Sequence, residues 1–451
     1  MGGRSEEMAS FTINSNLHLR HSITRVLDRV QQTLELMLAV PDLTDDDRVN
    51  IRSLACKYRK WVRRLKVSSL SGDAGKTRQL IRLALNSGQM KAFAFLLAHR
   101  KTPPAELQAS TFKRAALREI GKTLDPLKKQ CGTIRLKVTA KANGKRRIVQ
   151  SFPKETLALQ ALVADILVAT GHRNPFDFNE RWRGPNAAAR RIGNEIENEF
   201  RHWLCADVAD FYPSIRPAKL PDLNLPWQVR KWVVCANRYL PMKGGTKEEE
   251  MMARQGLPQG SPASNVIASD LIGRVFQDLP ETGICKQSFT DDIAIGARDP
   301  STLAEVESQL MHLMGEHPAG PFFFKECAQI CANPNGGPTH AGYHFRLGYY
   351  RLKGRCRIMP SLKSWERLFA KIYWQLEEQK PCNWDEALAL CRSKGLRWRK
   401  SKAAWPRNPS SDDDFAITLY QLAFDYEPGV PFKHHPTLGY KLRQGLYQTP
   451  F

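Results

Sequence analysis

Two adjacent carboxylates, Asp291 and Asp292, interrupt an apolar stretch in SFTDDIAIGA. Ile293 and Ile295 follow them in the period-two alternation of a β-strand, so the pair is predicted to lie at the tip of a β-hairpin. An isolated Asp-Asp pair is usually a solvated turn. The rest of the sequence must therefore decide whether these carboxylates do chemistry.

A second acidic segment, CADVADFYPSI, begins as a buried strand and contains Asp207 and Asp210. If this strand and the hairpin are neighbours in one sheet, Asp207 and Asp291 converge at one edge, where carboxylates repel one another unless cations neutralise them. Mg²⁺ prefers such oxygen ligands, and two ions roughly 3.5–4 Å apart support in-line phosphoryl transfer. Because side chains alternate along a strand, Asp291 is expected to bridge the ions and Asp292 to be the weaker or more distant ligand.

The elements from residue 202 onwards follow the order strand, helix, hairpin, helix, strand, which is typical of a split βαβ sheet with helices on one face. The first helix is predicted over residues 264–279. The second carries Thr302 and Glu305 at the spacing of a capping box. Further strand-like runs are PFFFKECAQI and YHFRLGYYRLKGRCRIM, and upstream an Asn-Gly hairpin is predicted around KANGK. The predicted fold class is α+β.

Helices are predicted on both sides of this region. Residues 1–110 have apolar residues at helical spacing in TRVLDRVQQTLELMLAV and in TRQLIRLALNSGQMKAFAFLLA. Thr44 and Ser411 precede acidic runs, as helix N-caps do. After residue 360 three helical segments follow, which are SLKSWERLFAKIYWQLEEQ, NWDEALALCRSKGLRWRK and DDDFAITLYQLAFDYE.

The charge balance points to a polyanionic partner. The 451 residues include 68 Lys and Arg against 45 Asp and Glu, a net charge of +23, and nucleic acid is the usual partner of such an excess. No apolar run approaches the ~20 residues that span a bilayer, and no signal-peptide core follows Met1. Ten cysteines occur without C-x-x-C pairs. We expect a cytoplasmic protein that does not interact with membranes.

Two cationic runs contain aromatic residues, and rings among cations favour nucleic-acid contact over a solvated helix face. KYRKWVRRLK, residues 57–66, has six cations, and CRSKGLRWRKSKAAWPR, residues 391–407, has seven cations and no acid. The predicted nucleic-acid contacts are Lys57, Arg59, Lys60, Arg63, Arg397, Trp398, Arg399 and Lys400.

Three motifs, DVADFYPSI, GLPQGSPAS and FTDD, resemble in order and spacing the palm motifs of the reverse transcriptase superfamily. KANGKRRIV resembles the fingers hairpin of that family, and RLGYYRL is similar to its primer-grip hairpin. The resemblance covers about residues 130–355 and implies a right-hand polymerase with fingers, a split-βαβ palm and a three-helix thumb, plus a helical N-terminal extension. The implied domains are 1–110 (extension), 111–200 (fingers), 201–355 (palm) and 356–451 (thumb).

The resemblance also implies an RNA-directed DNA polymerase that uses two Mg²⁺ ions, replaceable by Mn²⁺, to add dNTPs to a 3′-hydroxyl. The implied catalytic and metal-binding residues are Asp207, Asp291 and Asp292, with the backbone carbonyl of Val208 as a further metal ligand. Tyr212 matches the aromatic gate at the sugar 2′ position. The implied nucleotide contacts are Lys141, Lys145, Arg147, Asp210, Phe211, Tyr212, Gln259 and Gly260. Lys325 is a candidate for the general acid of the family, although FFFKECAQI departs from the usual pattern.

The subfamily is narrowed by departures from two known patterns. PNAAAR has Arg190 where retron enzymes have histidine, and PQGSPASN differs from the PQGG of group II intron enzymes. What remains is most similar to stand-alone bacterial reverse transcriptases of phage defence (retron-like or abortive-infection-like), which implies a structured noncoding RNA as template and DNA as product.

Alternatives to this function stay open. One is template-independent or protein-primed DNA synthesis at the same site, and another is a catalytically silent RNA-binding scaffold. An RNA-directed RNA polymerase is disfavoured by FTDD and PQGSPAS. The N-terminal helices could bind RNA, close a homo-oligomer or buttress the fingers.

Overall fold

The structure is a computed structural model that describes residues 23–140, 146–172, 174–179, 184–347, 355–381, 383–402 and 419. Its helices are α1 (23–38), α2 (Asp45–Leu70), α3 (Ala74–Asn86), α4 (Gly88–His99), α5 (Arg114–Thr123), α6 (Lys154–Ala169), α7 (Gly184–Glu197), α8 (Phe211–Ser214), α9 (Trp227–Val229), α10 (Lys247–Ala253), α11 (Pro262–Asp278), α12 (Pro300–Gly315), α13 (Leu362–Gln379) and α14 (Trp384–Ser401). Its strands are β1 (Ile134–Ala140), β2 (Arg146–Ser151), β3 (His202–Val208), β4 (Met242–Lys243), β5 (Ile284–Phe289), β6 (Asp292–Ala297), β7 (Phe324–Cys331), β8 (Thr339–His340), β9 (Tyr343–Leu347) and β10 (Cys356–Pro360).

The chain divides into two compact units. Unit 1 comprises residues 1–177, 208–279 and 310–323, and unit 2 comprises residues 178–207, 280–309 and 324–451. The predicted α+β class is confirmed, since each unit combines helices with a β-sheet.

Helix α2 of unit 1 begins where its capping residue predicts. The hydroxyl of Thr44 accepts the N–H of Asp47 and the Asp47 carboxylate accepts the N–H of Thr44, so the predicted cap of α2 is confirmed. The run over 77–98, predicted to be helical, forms two helices, because Ser87 ends α3 and its hydroxyl accepts the N–H of Met90 in the first turn of α4. Ser411 lies outside the described residues.

Helix α6 forms the centre of unit 1, and it packs against α2, α4 and α11. Its Asp165 is buried, accepts a hydrogen bond of 2.7 Å from the Tyr58 hydroxyl, and forms an ion pair with Arg29 of α1. Burial lowers the pKa of Arg29 to about 10. A charged group without water is stabilised only by such partners, so this network fastens α1 and α2 to α6.

A three-stranded sheet with the order β2-β1-β4 completes unit 1. Strands β1 and β2 pair antiparallel from Arg135↔Ser151 to Ala140↔Arg146, so the predicted hairpin is confirmed. Its turn, residues 141–145, lies outside the described residues. The core beneath the sheet contains Ile134, Leu136, Phe152, Ala236, Leu240 and Ala253.

Unit 2 contains a four-stranded sheet with the order β5-β6-β3-β7. This is the split βαβ arrangement that the element order predicted. The predicted capping box at Thr302 and Glu305 is wrong. Helix α12 begins at Pro300, and the Asp299 carboxylate accepts the N–H of Thr302 at 2.8 Å and the hydroxyl of Ser301. Those hydrogen bonds lower the pKa of Asp299 to about 2.

A second sheet of unit 2 has the order β10-β9-β8, and α7 packs against β9 and β10. Its hydrophobic core contains Ala189, Ile192, Ile196, Trp203, Cys285, Ala294, Ala332, Tyr343 and Phe345. Two of the three predicted C-terminal helices are confirmed as α13 and α14, which pack together. The third lies outside the described residues apart from Leu419, and so does the segment 348–354 between β9 and β10. No helix that the structure describes is both long enough and apolar enough to cross a membrane.

Candidate active site

Asp207 and Asp292 stand directly opposite each other where β3 pairs with β6. Residues paired in this way project from the same face of an antiparallel sheet, with Cβ atoms about 4.5–5.5 Å apart. Asp291 precedes β6 in a two-residue turn with Thr290, whose φ is +63°. The predicted hairpin tip is therefore present, and the register places Asp292 rather than Asp291 opposite Asp207.

Asp292 is held by two groups that follow each other in the chain. Nδ1 of His340 lies 3.0 Å from Oδ1 of Asp292, and the N–H of Ala341 donates to Oδ2 at 3.0 Å. Burial raises the pKa of Asp292, but the charge and hydrogen bond of His340 and the bond from Ala341 outweigh it and set the pKa below its usual value. The His340 side chain is itself fully buried.

Asp207 has a cationic partner on the neighbouring strand β7. Nζ of Lys325 lies 3.2 Å from Oδ2 of Asp207 and 3.4 Å from Oε1 of Glu326. The hydrogen bond from Lys325 to Asp207 raises the pKa of the ammonium, although burial acts against it. Lys325 therefore keeps its proton within reach of the carboxylate pair.

The donor chemistry of this edge suits a hard divalent cation. Asp207 and Asp292 offer carboxylate oxygens on one face and Asp291 is adjacent in the chain, and such oxygens are the ligands that Mg²⁺ and Mn²⁺ prefer. Within the described residues, no three His, Cys, Asp or Glu side chains are gathered into a preformed metal centre. The three-aspartate metal site stays a prediction.

Tyr212 of unit 1, the predicted sugar gate, is anchored at both ends. Its carbonyl accepts the N–H of Leu257 at 2.9 Å, and its hydroxyl donates to Oδ1 of Asn265 at 2.9 Å. Gly256 has φ +58°, and a Cβ there would lie 2.0 Å from the Tyr212 carbonyl oxygen. Only glycine permits this approach, so the turn before α11 fixes the backbone of the gate.

The other side of that turn contacts β2. The N–H of Gln150 donates to the carbonyl of Gln259 at 2.9 Å. Gly260 has φ +112°, and a Cβ there would lie 2.4 Å from the Gln150 carbonyl oxygen. Arg147, an exposed residue of β2, is three positions before Gln150. Three of the predicted nucleotide contacts are thus on elements of unit 1 that are hydrogen-bonded to one another.

The other residues predicted to contact the nucleotide or the metal have different environments. Asp210 is exposed, and its backbone lies in the left-handed region with φ +41°. The ring of Phe211 is buried and packs on Phe322 at 5.2 Å between centroids. Val208 is the last residue of β3, and its side chain is buried. Lys141 and Lys145 lie outside the described residues.

The cationic run of α2 does not present a single face. Lys57, Lys60 and Arg63 are exposed. Arg59 instead donates to Oε1 of Gln31 on α1. The guanidinium of Arg64 stacks over the ring of Trp61 at 4.7 Å.

On α14 the predicted contacts also separate into two groups. Arg397 and Lys400 are exposed, whereas Arg399 is partly buried. Trp398 packs against the buried Trp365 of α13, with ring centroids 4.3 Å apart. That indole therefore contributes to the packing of the two helices.

Sequence reasoning missed the residues that hold the predicted site in place. His340 lies in PTHAGYHF, where nothing local distinguishes it from His344. Only the pairing of β6 with β3, and the position of β8 beside β6, bring His340 to Asp292. Asn265 is in a helix that the sequence did predict, but its bond to Tyr212 spans 53 residues.

Residues 136–318 match the family described as "Reverse transcriptase (RNA-dependent DNA polymerase)". This segment is therefore similar to a reverse transcriptase domain. The domain covers less than half of the chain and includes all three aspartates, so the predicted superfamily is confirmed for this segment. It indicates a nucleotidyltransferase, an RNA-directed DNA polymerase, with the polymerase fold that the motifs predicted. Polymerases of this family generally use divalent metals, a nucleic-acid template and nucleotide substrates.

Comparison with solved structures gives more distant resemblances. The RNA-dependent RNA polymerase (3Dpol) of Sicinivirus is 12% identical with a TM-score of 0.36, and the alignment covers 71% of this chain and 69% of that one. The RNA-dependent RNA polymerase of a human picorbirnavirus is 12% identical with a TM-score of 0.37, and the alignment covers 71% of this chain and 60% of that one. The RNA-dependent RNA polymerase of bacteriophage phi12 is 12% identical with a TM-score of 0.33, and the alignment covers 66% of this chain and 51% of that one. The chain thus spans about half to two thirds of their lengths. A search of curated proteins gives no significant match.

Proposed function

We propose that this chain is a reverse transcriptase that adds deoxynucleotides to a 3′-hydroxyl, with Asp207, Asp291 and Asp292 as its metal-binding carboxylates. The observation that supports this most directly is the register of β3 and β6, which sets Asp207 opposite Asp292 within a reverse transcriptase domain. Two carboxylates on one face of a sheet repel each other, and a cation between them relieves that repulsion.

The divalent ions, when bound, would supply Lewis-acid activation of the primer hydroxyl and neutralise charge on the triphosphate. The chain itself contributes three further groups. His340 and the N–H of Ala341 hold the carboxylate of Asp292 in one orientation. Lys325, whose Nζ lies 3.2 Å from Oδ2 of Asp207, is the proposed general acid that protonates the leaving pyrophosphate.

Selection of the nucleotide is assigned to unit 1. Tyr212, anchored by Leu257 and Asn265, would stand against a 2′-hydroxyl and so favour dNTPs. Arg147 would contact the triphosphate, since a guanidinium binds phosphate oxygens bidentately. The finer proposal, from the motifs alone, is that the template is a structured noncoding RNA and that the DNA product serves bacterial defence against phage in the cytoplasm. The cations predicted on α2 and α14 would contact that RNA.

The test is incorporation of labelled dTTP by the purified protein with Mg²⁺ on poly(rA)/oligo(dT), and of all four dNTPs on any RNA that co-purifies. Asp207→Asn and Asp292→Asn should each reduce incorporation by at least about 100-fold, because several kcal/mol of charge stabilisation are lost. The matched control is Asp385→Asn, an exposed carboxylate in the first turn of α14, which should retain activity.

Other outcomes discriminate the alternatives. Incorporation without a template would favour template-independent synthesis, and a DNA–protein adduct that survives denaturation would favour protein priming. RNA binding without incorporation by the wild-type protein contradicts the enzymatic proposal and leaves an RNA-binding scaffold. Sequencing of the product identifies the template.

A further inference from the structure

A half-enclosed cavity of about 520 Å³ lies in unit 1 between α2, α5 and the first turn of α4. Its size is within the range of ligand sites in proteins, about 300–1,000 Å³. Four of the side chains around it are cations and none is Asp or Glu. The cations are Lys57, Arg114, Arg118 and Lys122. All of the lining residues belong to one unit and are described by the structure.

The cations are arranged by helical spacing. Arg114, Arg118 and Lys122 follow one another at intervals of four on α5, so they share one face, and Lys57 approaches from α2. Arg114 lies 3.1 Å from Asp46, and Lys122 lies 3.5 Å from Glu119, in exposed ion pairs that contribute little. Lys57 and Arg118 have no ion-pair partner among the residues that the structure describes. The excess positive charge is therefore available to an anion.

The floor of the cavity is apolar and tightly packed. Leu54 and Leu117 are buried and line it. Gly121 of α5 touches the start of α4, since a Cβ at Gly121 would lie 2.5 Å from the carbonyl oxygen of Gly88. This contact brings the first residues of α4 to the cavity, where the positive end of the helix dipole adds to the field of the cations. Buried leucines beside cations suit a group that combines an apolar ring with a phosphate.

The face of α2 that lines the cavity extends beyond it towards the C-terminal end of the helix. Lys57, Trp61 and Arg64 are spaced four and three residues apart and so lie on one face of the helix, with the Arg64 guanidinium over the Trp61 ring. Trp61 is partly exposed and Arg64 is exposed. An indole between cations is the arrangement on which bases of single-stranded nucleic acids stack. A stripe of this kind extends recognition beyond a single nucleotide.

We propose that this cavity and the adjoining stripe bind a single-stranded RNA segment, with one nucleotide phosphate inside the cavity and a base on Trp61. This proposal deepens the proposed function, since Lys57 is one of the α2 cations assigned there to RNA contact. The cavity residues are separate from the aspartates and from the predicted nucleotide contacts, so RNA binding can be measured without nucleotide addition and can fail or succeed separately from it. A free nucleotide would use the same phosphate chemistry, and the experiment distinguishes the two.

The experiment measures fluorescence anisotropy of a labelled 12-nucleotide single-stranded RNA at several NaCl concentrations with the full-length protein. The variant Arg118→Ala/Lys122→Ala removes two cavity cations four residues apart. It should weaken binding roughly tenfold near 0.1 M salt and reduce the slope of log K against log salt by about 1.4. The control Arg78→Ala/Arg82→Ala removes two exposed cations with the same spacing from α3, outside the cavity, and should change affinity less than about twofold.

A second pair of variants tests the cavity without changing charge. Gln89→Trp fills it from the exposed first turn of α4 and should weaken RNA binding at least about fivefold with the salt slope retained. Gln79→Trp, exposed on α3, is its control and should have no effect. Equal effects of the two double-alanine variants, or no effect of Gln89→Trp, would overturn the proposed site. RNA would then be attracted by the overall positive charge of the protein and would not bind in this cavity. Displacement of the RNA by millimolar AMP, with the same variant dependence, would overturn the RNA assignment in favour of a free nucleotide.

Discussion

Nδ1 of the buried His340 lies 3.0 Å from Oδ1 of Asp292, and the next residue in the chain, Ala341, donates its N–H to the other oxygen of that carboxylate. Both oxygens of Asp292 are therefore oriented by two consecutive residues at the end of β8. A carboxylate held in this way loses little conformational freedom when it binds a cation, so β8 acts on the site through Asp292 rather than by direct contact with substrate.

We expect His340→Leu to reduce nucleotide incorporation by roughly 10- to 100-fold and to raise the Mg²⁺ concentration for half-maximal activity, because the orienting bond is lost. His340→Asn, whose amide can replace Nδ1, should recover much of the loss. In a titration with Mn²⁺ and no nucleotides, the rise in Tm should be largest for wild type, smaller for His340→Asn and smallest for His340→Leu. His344→Asn on β9, whose Nδ1 faces Thr339 at 3.2 Å, is the control. A Tm rise equal to wild type in His340→Leu would contradict the positioning role.

Substitution of the anchored gate should relax sugar selection. Tyr212→Val is expected to lower the preference for dNTPs over rNTPs by at least about tenfold, since the aromatic ring is removed. Asn265→Ala, which deletes the acceptor of the Tyr212 hydroxyl, should lower the same ratio by a few fold, in keeping with about 1 kcal/mol for one hydrogen bond. The measurement is kcat/KM for dTTP and UTP on one primer-template. An unchanged ratio in Tyr212→Val would exclude this residue as the gate.

The buried network of α1, α2 and α6 should dominate the stability of unit 1. Arg29→Met leaves Asp165 charged and without its cation, which is expected to cost about 3–5 kcal/mol of unfolding free energy. Tyr58→Phe removes one hydrogen bond to the same carboxylate and should cost about 1–3 kcal/mol. Urea unfolding followed by circular dichroism measures both. Arg63→Met, at an exposed position of α2, should change the free energy of unfolding by less than about 0.5 kcal/mol. A loss in Arg63→Met as large as that in Arg29→Met would contradict the stabilising role of the buried network.

Lys402 should make the stability of unit 2 depend on alkaline pH. Its Nζ donates to the carbonyl of Gly342 at 3.1 Å and lies 4.4 Å from the ring centroid of Tyr343, and burial together with the charge of Arg367 lowers its pKa to about 8 from 10.5. Between those values the unfolded chain binds this proton and the folded chain does not, so the free energy of unfolding rises with pH.

The checking experiment compares wild type with Lys402→Met from pH 7 to pH 10. The wild-type free energy of unfolding should increase relative to the variant by roughly 1–3 kcal/mol across that range. Lys400→Met, at an exposed position of α14, should follow the wild-type curve. Parallel curves for wild type and Lys402→Met would show that the ammonium is not destabilised by burial.

Sequence reasoning predicted those parts of the fold that depend on local chemistry. The cap at Thr44, the helix that became α11 and the hairpin carrying Asp291 and Asp292 all rest on residues close together in the chain. The capping box was wrong, because Asp299 and not Thr302 caps α12. The apolar periodicity also gave no sign that Ser87 divides the run over 77–98 into two helices.

The surroundings of the candidate site were harder to predict, because they depend on register and tertiary packing. Alternation along a strand could not tell whether Asp291 or Asp292 faces Asp207, since that depends on where the turn begins. Composition placed Trp398 among nucleic-acid contacts, yet its ring packs on Trp365, 33 positions earlier. A cation run likewise gave no indication that Arg59 turns to Gln31.

Gln150 links two parts of unit 1 for which different roles are proposed. Its N–H and carbonyl contact the Gln259–Gly260 turn, its side chain donates to the carbonyl of Ala253 at 2.8 Å, and it shares strand β2 with Arg147. Because Arg147 lies three positions from Gln150 in a strand that is paired with β1, a displacement of Arg147 is expected to move the turn as well. Capture of a triphosphate and alignment of its base would then be one mechanical event, and a stopped-flow probe on either element should report a single, common rate.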